Sequence, residues 1–249
     1  MNFDNRKILV QIRGGSHAYG LSTPTSDVDV RGVFVDTSLD HLIGLQRDEV
    51  LVQQNETQDQ VFTEFRHALK LLRSANTQMI ELLFITEWEQ KSPEWTKVMS
   101  NRASLIDSAR LFSGLRGYMQ SELKLANGER TGKLGSKRKE AIDRYGFIPK
   151  NFVQLFRLAW AGSIFFQSGF FPVSVKSKDP LFAGWLLDIK THPEKFTRDQ
   201  LNMKAAAFEV DLIHAYEYKN VVTVFDNDVA TQLCYEVYYP LLNKKTFKI

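Results

Sequence analysis

The sequence predicts an α+β fold, in which a mixed sheet flanked by helices is followed by a mainly helical region. In the first half, short apolar runs bounded by turn residues indicate strands at 7–12, 28–35 and 49–53. From Phe65 onward, apolar residues recur at helical spacing instead. The 249 residues, 43% of them hydrophobic, suffice for one large domain or two modest ones, each with a core.

Local signals predict the N-terminal elements. The first strand is expected to end at Gly14-Gly15, after which Ser16 can cap a short helix that Pro24 terminates. A later helix has one apolar face, and a second helical segment follows a break at Asn76. The residues of that apolar face are Phe65, Ala68, Leu69 and Leu72.

The second half reads as helical apart from a loop rich in glycine and charge at residues 126–140. Helices are expected at 102–125, 151–167, 198–218 and 229–242. We therefore predict two domains, an α+β domain at residues 1–110 and a helical domain at residues 111–249.

Composition excludes several classes of protein. No apolar run has the roughly 18 residues of a membrane helix, and the N-terminus lacks the apolar core of a signal peptide. The single cysteine, Cys234, excludes an internal disulfide framework and a cysteine-based zinc site. We expect a cytoplasmic protein, or one of the host-cell cytoplasm if a phage encodes it, and Cys234 as a packing residue.

Asp27 and Asp29 are the first candidate site residues. Side chains alternate along a strand, so both carboxylates are expected on one face, about 6.6 to 7 Å apart. Two carboxylates so placed repel each other unless a cation lies between them. Mg²⁺ suits such a pair because it binds a few carboxylates together with water and substrate phosphates.

A glycine turn precedes this pair. Gly15-Ser16 opens the short helix, whose free N–H groups and serine hydroxyl are suited to phosphate. Ten residues separate this turn from Asp27, which fits the signature G-[GS]-x(9–13)-D-x-D. The chain thereby resembles the DNA polymerase β-like nucleotidyltransferase superfamily, and a polymerase β-type nucleotidyltransferase domain is the fold this implies.

The resemblance is more specific in three stretches, SDVDVRGVFV, TEFRHALKLLRSANTQMIELLF and YGFIPKNFVQLFRLAWAGSIFFQSGFFPV. They are similar to the RNA-repair-pathway polymerase β-like nucleotidyltransferases of bacteria and phages, over roughly residues 8 to 175. The resemblance implies Mg²⁺ (two ions, with Mn²⁺ as a substitute), an NTP and an RNA or tRNA end. It also implies a functional association with an RNA ligase. The sequence departs from the family pattern at Asn76-Thr77 and at Gln154.

A third carboxylate completes the metal site in this superfamily and can act as general base. Glu64 is the candidate here, at a strand-to-helix junction, with Asp59, Glu56 and Glu81 as alternatives. A first-turn glutamate that complements the helix dipole is the other interpretation of Glu64.

The remaining candidate residues would bind nucleotide or nucleic acid. Arg31 is expected on the face of Asp29, either paired with it or touching phosphate. Lys150 and Arg157 lie seven residues apart, so one helix face can carry both, as in the family's Lys-x(6)-Arg. The further candidate nucleotide contacts are Gly14, His17, Tyr19 and Ser26. The candidate nucleic-acid contacts are Lys133, Lys137, Arg138 and Lys139.

The function we expect is Mg²⁺-dependent transfer of an NMP from an NTP to a polynucleotide end, with RNA as the acceptor and pyrophosphate as the product. Two alternatives stay open. One is nucleotidyl transfer to a small molecule or a protein side chain. The other is a regulatory module that binds nucleotide or RNA without catalysis.

Overall fold

The computed structural model describes residues 5–45, 49–54, 58–129 and 135–243. These residues form two compact units. One contains the residues up to Asp107 and those from Thr223 onward, and the other is Ser108–Val222. The boundary between the first and second units, at Asp107 and Ser108, lies close to the predicted domain boundary at residue 110. The C-terminal helix differs from the prediction, since it belongs to the first unit rather than to the helical one.

The first unit contains a mixed five-stranded sheet. Its strands are β1 (Arg6–Arg13), β2 (Val28–Asp36), β3 (Val50–Gln54), β4 (Gln58–Glu64) and β5 (Gln90–Lys91). Their order is β3-β4-β2-β1-β5, and every neighbouring pair is antiparallel except β2 and β4, which are parallel. The three predicted strands are confirmed as β1, β2 and β3, β4 ends at the strand-to-helix junction expected at Glu64, and β5 was not predicted.

Helices surround this sheet within the first unit. They are α1 (Gly15–Ala18), α2 (Leu39–Leu42), α3 (Phe65–Arg73), α4 (Thr77–Phe84), α5 (Pro93–Ser100) and, after the second unit, α12 (Asn227–Asn243). The predicted apolar face of α3 is confirmed, because all four of its residues are buried. The break at Asn76 is confirmed too, since its side chain accepts a hydrogen bond from Met79 N and caps α4.

The second unit is helical in the described residues. Its helices are α6 (Ser108–Ala126), α7 (Ser136–Tyr145), α8 (Pro149–Ser168), α9 (Val175–Lys178), α10 (Pro180–Thr191) and α11 (Arg198–Glu217). Two predictions are wrong in detail. The helix expected from residue 102 begins at Ser108, after a separate 3₁₀ turn at Arg102–Leu105. The predicted loop at 126–140 includes the first turn of α7. This helix is followed by its C-cap residue, Gly146, in the left-handed backbone conformation.

The two faces of the sheet differ along β2. Val30, Phe34 and Phe62 form a buried cluster on one face. Because side chains alternate along a strand, Asp29 and Arg31 point to the other face. The first half of β2 thus carries charged side chains on the face opposite this cluster. Across the described ranges, no helix combines the length and apolar character needed to cross a bilayer.

Candidate functional site

Asp29 and Asp59 occupy paired positions on adjacent strands. In the parallel register of β2 and β4, Asp29 lies opposite Asp59, and Val28 lies opposite Gln58. Neighbouring strands are about 4.8 Å apart, so the two carboxylates share one face of the sheet at close range. Each side chain retains about 30% exposure, 29% for Asp29 and 30% for Asp59. This pair is the centre of the candidate site.

The guanidinium of Arg31 joins the two carboxylates. Its Nη2 lies 3.1 Å from Asp29 Oδ1 and 3.2 Å from Asp59 Oδ2. Its Nη1 donates to the main-chain oxygens of Val30 and Asp59, at 3.1 and 3.2 Å. Asp59 Oδ1 is buried and has no hydrogen-bond partner among the described residues. One guanidinium therefore offsets the repulsion between two carboxylates, and one carboxylate oxygen is left without a hydrogen bond from the described residues.

The start of α1 packs directly on this pair. Gly14 N donates to the main-chain oxygen of Asp29 at 2.7 Å. A Cβ on Gly15 would come within 1.9 Å of Asp29 Oδ2, and the residue has φ +57°. Both the space and the backbone conformation therefore require glycine at position 15. A Cβ on Gly14 would meet Arg31 Cγ at 2.8 Å. The two glycines allow the main chain to lie against the carboxylate and the arginine.

Ser16 does not cap α1, which corrects the sequence-based expectation. The cap position is Gly14, no side chain accepts a hydrogen bond there, and Ser16 is the second residue of Gly15–Ala18. The helix has only four residues and ends well before Pro24. His17, in its middle, has a buried Nε2 without a hydrogen-bond partner among the described residues.

Tyr19 anchors this region to α4. Its hydroxyl donates to Glu81 Oε2 at 3.0 Å, and Glu81 is only 7% exposed. Glu81 was an alternative third carboxylate, and the structure shows it bound to Tyr19. Glu56, another alternative, lies outside the described residues.

A tight turn leads into β2. The Ser26 hydroxyl accepts a hydrogen bond from Thr23 N at 2.9 Å, and Ser26 N donates to the Thr23 carbonyl at 2.9 Å. Ser26 therefore stabilises the turn that precedes the acidic pair. Asp27 follows it, directly before β2, and is exposed.

Glu64 lies at the far end of β4, away from the position beside Asp29 that the prediction of a third metal ligand needs. In the register, Glu64 is opposite Phe34, not Asp29. Five residues along a strand separate Glu64 from Asp59, roughly 17 Å at about 3.3 Å per residue. A cation that contacts Asp29 is therefore out of reach of Glu64. Asp59 is the carboxylate that the sheet places next to Asp29.

Glu64 has a structural environment of its own. It is the N-cap of α3, and its Oε2 accepts hydrogen bonds from Arg66 N at 2.9 Å and His67 N at 3.3 Å. Its Oε1 accepts a hydrogen bond from the Tyr238 hydroxyl of α12 and lies 3.4 Å from His41 Nε2. The side chain is only 3% exposed. Glu64 thus attaches the C-terminal helix to the sheet.

In the second unit, Lys150 and Arg157 do not share an exposed surface, contrary to the prediction. Lys150 is exposed in the first turn of α8, whereas Arg157 is fully buried in the same helix. The Arg157 Nε donates to Gln154 Oε1 at 3.2 Å. Burial lowers the pKa of Lys190 of α10, and the positive charge of nearby Lys150 lowers it further.

The predicted basic cluster is partly described. Arg138 and Lys139 are exposed in the first turn of α7. Lys133 lies outside the described residues, and the side chain of Lys137 does as well. The described part of the cluster therefore places two cationic side chains on the surface of the helical unit.

The donor set of the acidic pair suits a hard divalent cation. Asp29 and Asp59 offer carboxylate oxygens, exposed Asp27 precedes Asp29 by two residues, and Asp59 Oδ1 has no hydrogen-bond partner among the described residues. Within the described ranges, no group of three or more histidine, cysteine, aspartate or glutamate side chains is arranged to hold a metal. The residues fit a cation held by two carboxylates and completed by water or substrate.

Residues 2–220 match the family described as the RNA repair pathway DNA polymerase beta family. Among solved structures, the chain is similar to a nucleotidyltransferase-like protein from Exiguobacterium sibiricum, with 12% identity and a TM-score of 0.29. That similarity covers 96% of this chain and 75% of the other. No curated protein matches the sequence.

Proposed function

The chain belongs to the RNA repair pathway DNA polymerase beta family, and we propose that it transfers an NMP from an NTP to an RNA or tRNA end. The observation that carries the proposal is the pairing of Asp29 with Asp59 on parallel strands. The O–Pα bond to the acceptor hydroxyl forms, the Pα–O bond to pyrophosphate breaks, and the hydroxyl proton passes to a carboxylate.

Each residue of the site has a part in this proposal. Asp29 and Asp59 would hold Mg²⁺, with Mn²⁺ as a substitute, and substrate phosphate would supply further ligands. Asp27 and a second ion would join the site only together with the nucleotide, since the described aspartates do not surround one ion as a group of three. When bound, the metal neutralises phosphate charge and orients the reacting groups. Asp59 takes the place first assigned to Glu64, and it accepts the proton of the attacking hydroxyl. Gly15 and Ser16 remain the proposed triphosphate contacts.

Two observations support RNA as the acceptor. The family is described by its RNA repair pathway. The exposed cationic side chains of Arg138 and Lys139 suit a polyanion, which they would attract by charge without reading its sequence. An RNA ligase is the partner we propose for the same pathway.

A second candidate is a nucleotide-binding module that does not catalyse transfer. One observation favours it, because Arg31 already pairs with both Asp29 and Asp59 in the structure and offsets one of their two charges. A purely binding role would give equal nucleotide affinity with and without divalent cation, and no pyrophosphate.

The test is transfer of label from NTPs labelled at the α-phosphate to RNA, with Mg²⁺ present. We expect labelled RNA and stoichiometric pyrophosphate, but no label from NTPs labelled at the γ-phosphate. Asp29→Asn abolishes the transfer, whereas Asp40→Asn, at an exposed position of α2, leaves it unchanged. Equal transfer by Asp29→Asn contradicts the proposal, and label in protein or in a small molecule identifies another acceptor.

A further inference from the structure

We propose that Arg31 is a built-in counter-ion that occupies the cation position between Asp29 and Asp59 and leaves it when a divalent cation binds. This inference rests on the proposed function, because it concerns the same acidic pair. Two distances carry it, 3.1 Å from Arg31 Nη2 to Asp29 Oδ1 and 3.2 Å from the same nitrogen to Asp59 Oδ2.

The sheet register creates the need for such a counter-ion. The β2–β4 pairing places the Asp29 and Asp59 carboxylates side by side, and like charges in that position are destabilising. Arg31 is two residues beyond Asp29 on the same strand and therefore on the same face. Arginine stays protonated at every ordinary pH, so its charge offsets the carboxylates whether or not metal is present.

The bridging contacts are long for charge-assisted hydrogen bonds. Such bonds are typically about 2.7 to 2.9 Å, and a well-seated arginine offers one carboxylate two parallel N–H groups. Here a single nitrogen, Nη2, is divided between two carboxylates at 3.1 and 3.2 Å. Asp59 Oδ1 receives no hydrogen bond among the described residues. The arginine compensates the charge of the pair without saturating its oxygens, which favours exchange for a divalent cation.

The surroundings leave the guanidinium accessible. The side chain of Arg31 is 23% exposed, so water and ions reach it. Gly14 lies over its stem, because a Cβ there would meet Arg31 Cγ at 2.8 Å. The absence of a side chain at Gly14 gives the arginine stem room at this position.

A competition follows from this arrangement. A metal ion alone has to displace a bound positive charge, so it binds weakly. When metal arrives together with a triphosphate, the released guanidinium gains an anionic partner. Arg31 thereby couples cation binding to nucleotide binding and disfavours a metal-loaded site without substrate.

The test is Mn²⁺ binding to the full-length chain without nucleotide, measured by electron paramagnetic resonance of free Mn²⁺. Arg31→Gln is expected to bind Mn²⁺ about tenfold more tightly than the wild type, the order of effect of one nearby, partly exposed charge. Arg13→Gln is the matched control. It removes the same charge from the neighbouring strand β1, where the Arg13 side chain pairs with Glu89 rather than with Asp29 or Asp59. Its Mn²⁺ affinity should equal that of the wild type.

Equal or weaker Mn²⁺ binding by Arg31→Gln overturns the proposal. In the double variant Arg31→Gln/Asp29→Asn, the gain in Mn²⁺ affinity should disappear. If the gain persists, the Mn²⁺ binds at a site other than the acidic pair, which also overturns the proposal. This readout needs no acceptor or turnover, so failed RNA labelling with the expected Mn²⁺ result sinks only the proposed function.

A stability measurement separates this role from a merely structural one. Arg31→Gln should lower the unfolding temperature in a chelator, and millimolar Mn²⁺ should restore it, because the metal replaces the missing charge. A loss that Mn²⁺ does not restore contradicts the proposal. If Arg31→Gln does not fold, Arg31→Lys is the second variant, because it keeps the positive charge without the planar fork. Its Mn²⁺ affinity should exceed that of the wild type by less than tenfold.

Discussion

Asp29 of β2 lies directly opposite Asp59 of β4 in a parallel pair of strands. Parallel pairing means that each strand brings its carboxylate to the same end of the sheet, where Gly15 of α1 packs on Asp29. The candidate site therefore depends on a register between strands as much as on a local motif. Four predictions follow from its contacts and from the contacts of Glu64.

Gly15→Ala should disrupt the site. Position 15 has φ +57°, and an added Cβ would lie 1.9 Å from Asp29 Oδ2. We expect a loss of more than about 1 kcal/mol in the free energy of unfolding, together with loss of NMP transfer. Gly117→Ala in α6 is the control, because no atom lies within 4 Å of its Cβ position. It should stabilise the chain by about 0.5–1 kcal/mol, and equal effects of the two changes would contradict the prediction.

Tyr238→Phe should loosen the attachment of α12. The Tyr238 hydroxyl donates to the buried carboxylate of Glu64, which would then lose a hydrogen bond. We expect the free energy of unfolding in urea to fall by about 1–3 kcal/mol. Tyr239→Phe is the matched control, because Tyr239 is 46% exposed, and its effect should stay within about 0.5 kcal/mol. An unchanged stability in Tyr238→Phe would show that this contact contributes nothing.

Cys234 should react slowly in the folded protein. Burial, with a further contribution from Glu64, raises the pKa of its thiol to about 11. The thiolate is the reactive form, so at about pH 8 almost none is present, and the reaction rate should rise as the pH approaches the pKa. The check is the rate of modification by a disulfide reagent, compared with the urea-unfolded chain. Equal rates in the folded and unfolded chains would contradict a raised thiol pKa in the folded protein.

Local motifs predicted one half of the site. The spacing from Gly15 to Asp27 and Asp29 is a property of contiguous sequence, and the structure places the turn against the Asp29 carboxylate. Asp59 was only an alternative to Glu64, because the choice depends on which strand lies beside β2 and in what register. That pairing is non-local, and although a strand ending at Glu64 was expected, neither its bounds nor its neighbour in the sheet was predicted.

Glu64 and Arg157 lie in surroundings that local sequence did not determine. A glutamate at a strand-to-helix junction serves equally as a metal ligand or as an N-cap, and here it caps α3. Arg157 lies on a helix that is buried on most of its surface, so seven-residue spacing from Lys150 did not determine its exposure. Burial depends on how helices pack, and that information is absent from periodicity alone.

The most direct test of the central claim, that Asp59 rather than Glu64 completes the acidic pair, is the rate of NMP transfer by Asp59→Asn. We expect the transfer rate to fall by about a hundredfold or more, because the site loses a charge that holds the cation and accepts the proton. The folded fraction of Asp59→Asn should equal that of the control variant Asp40→Asn. The control should transfer NMP at the wild-type rate. A wild-type rate in folded Asp59→Asn would contradict the account.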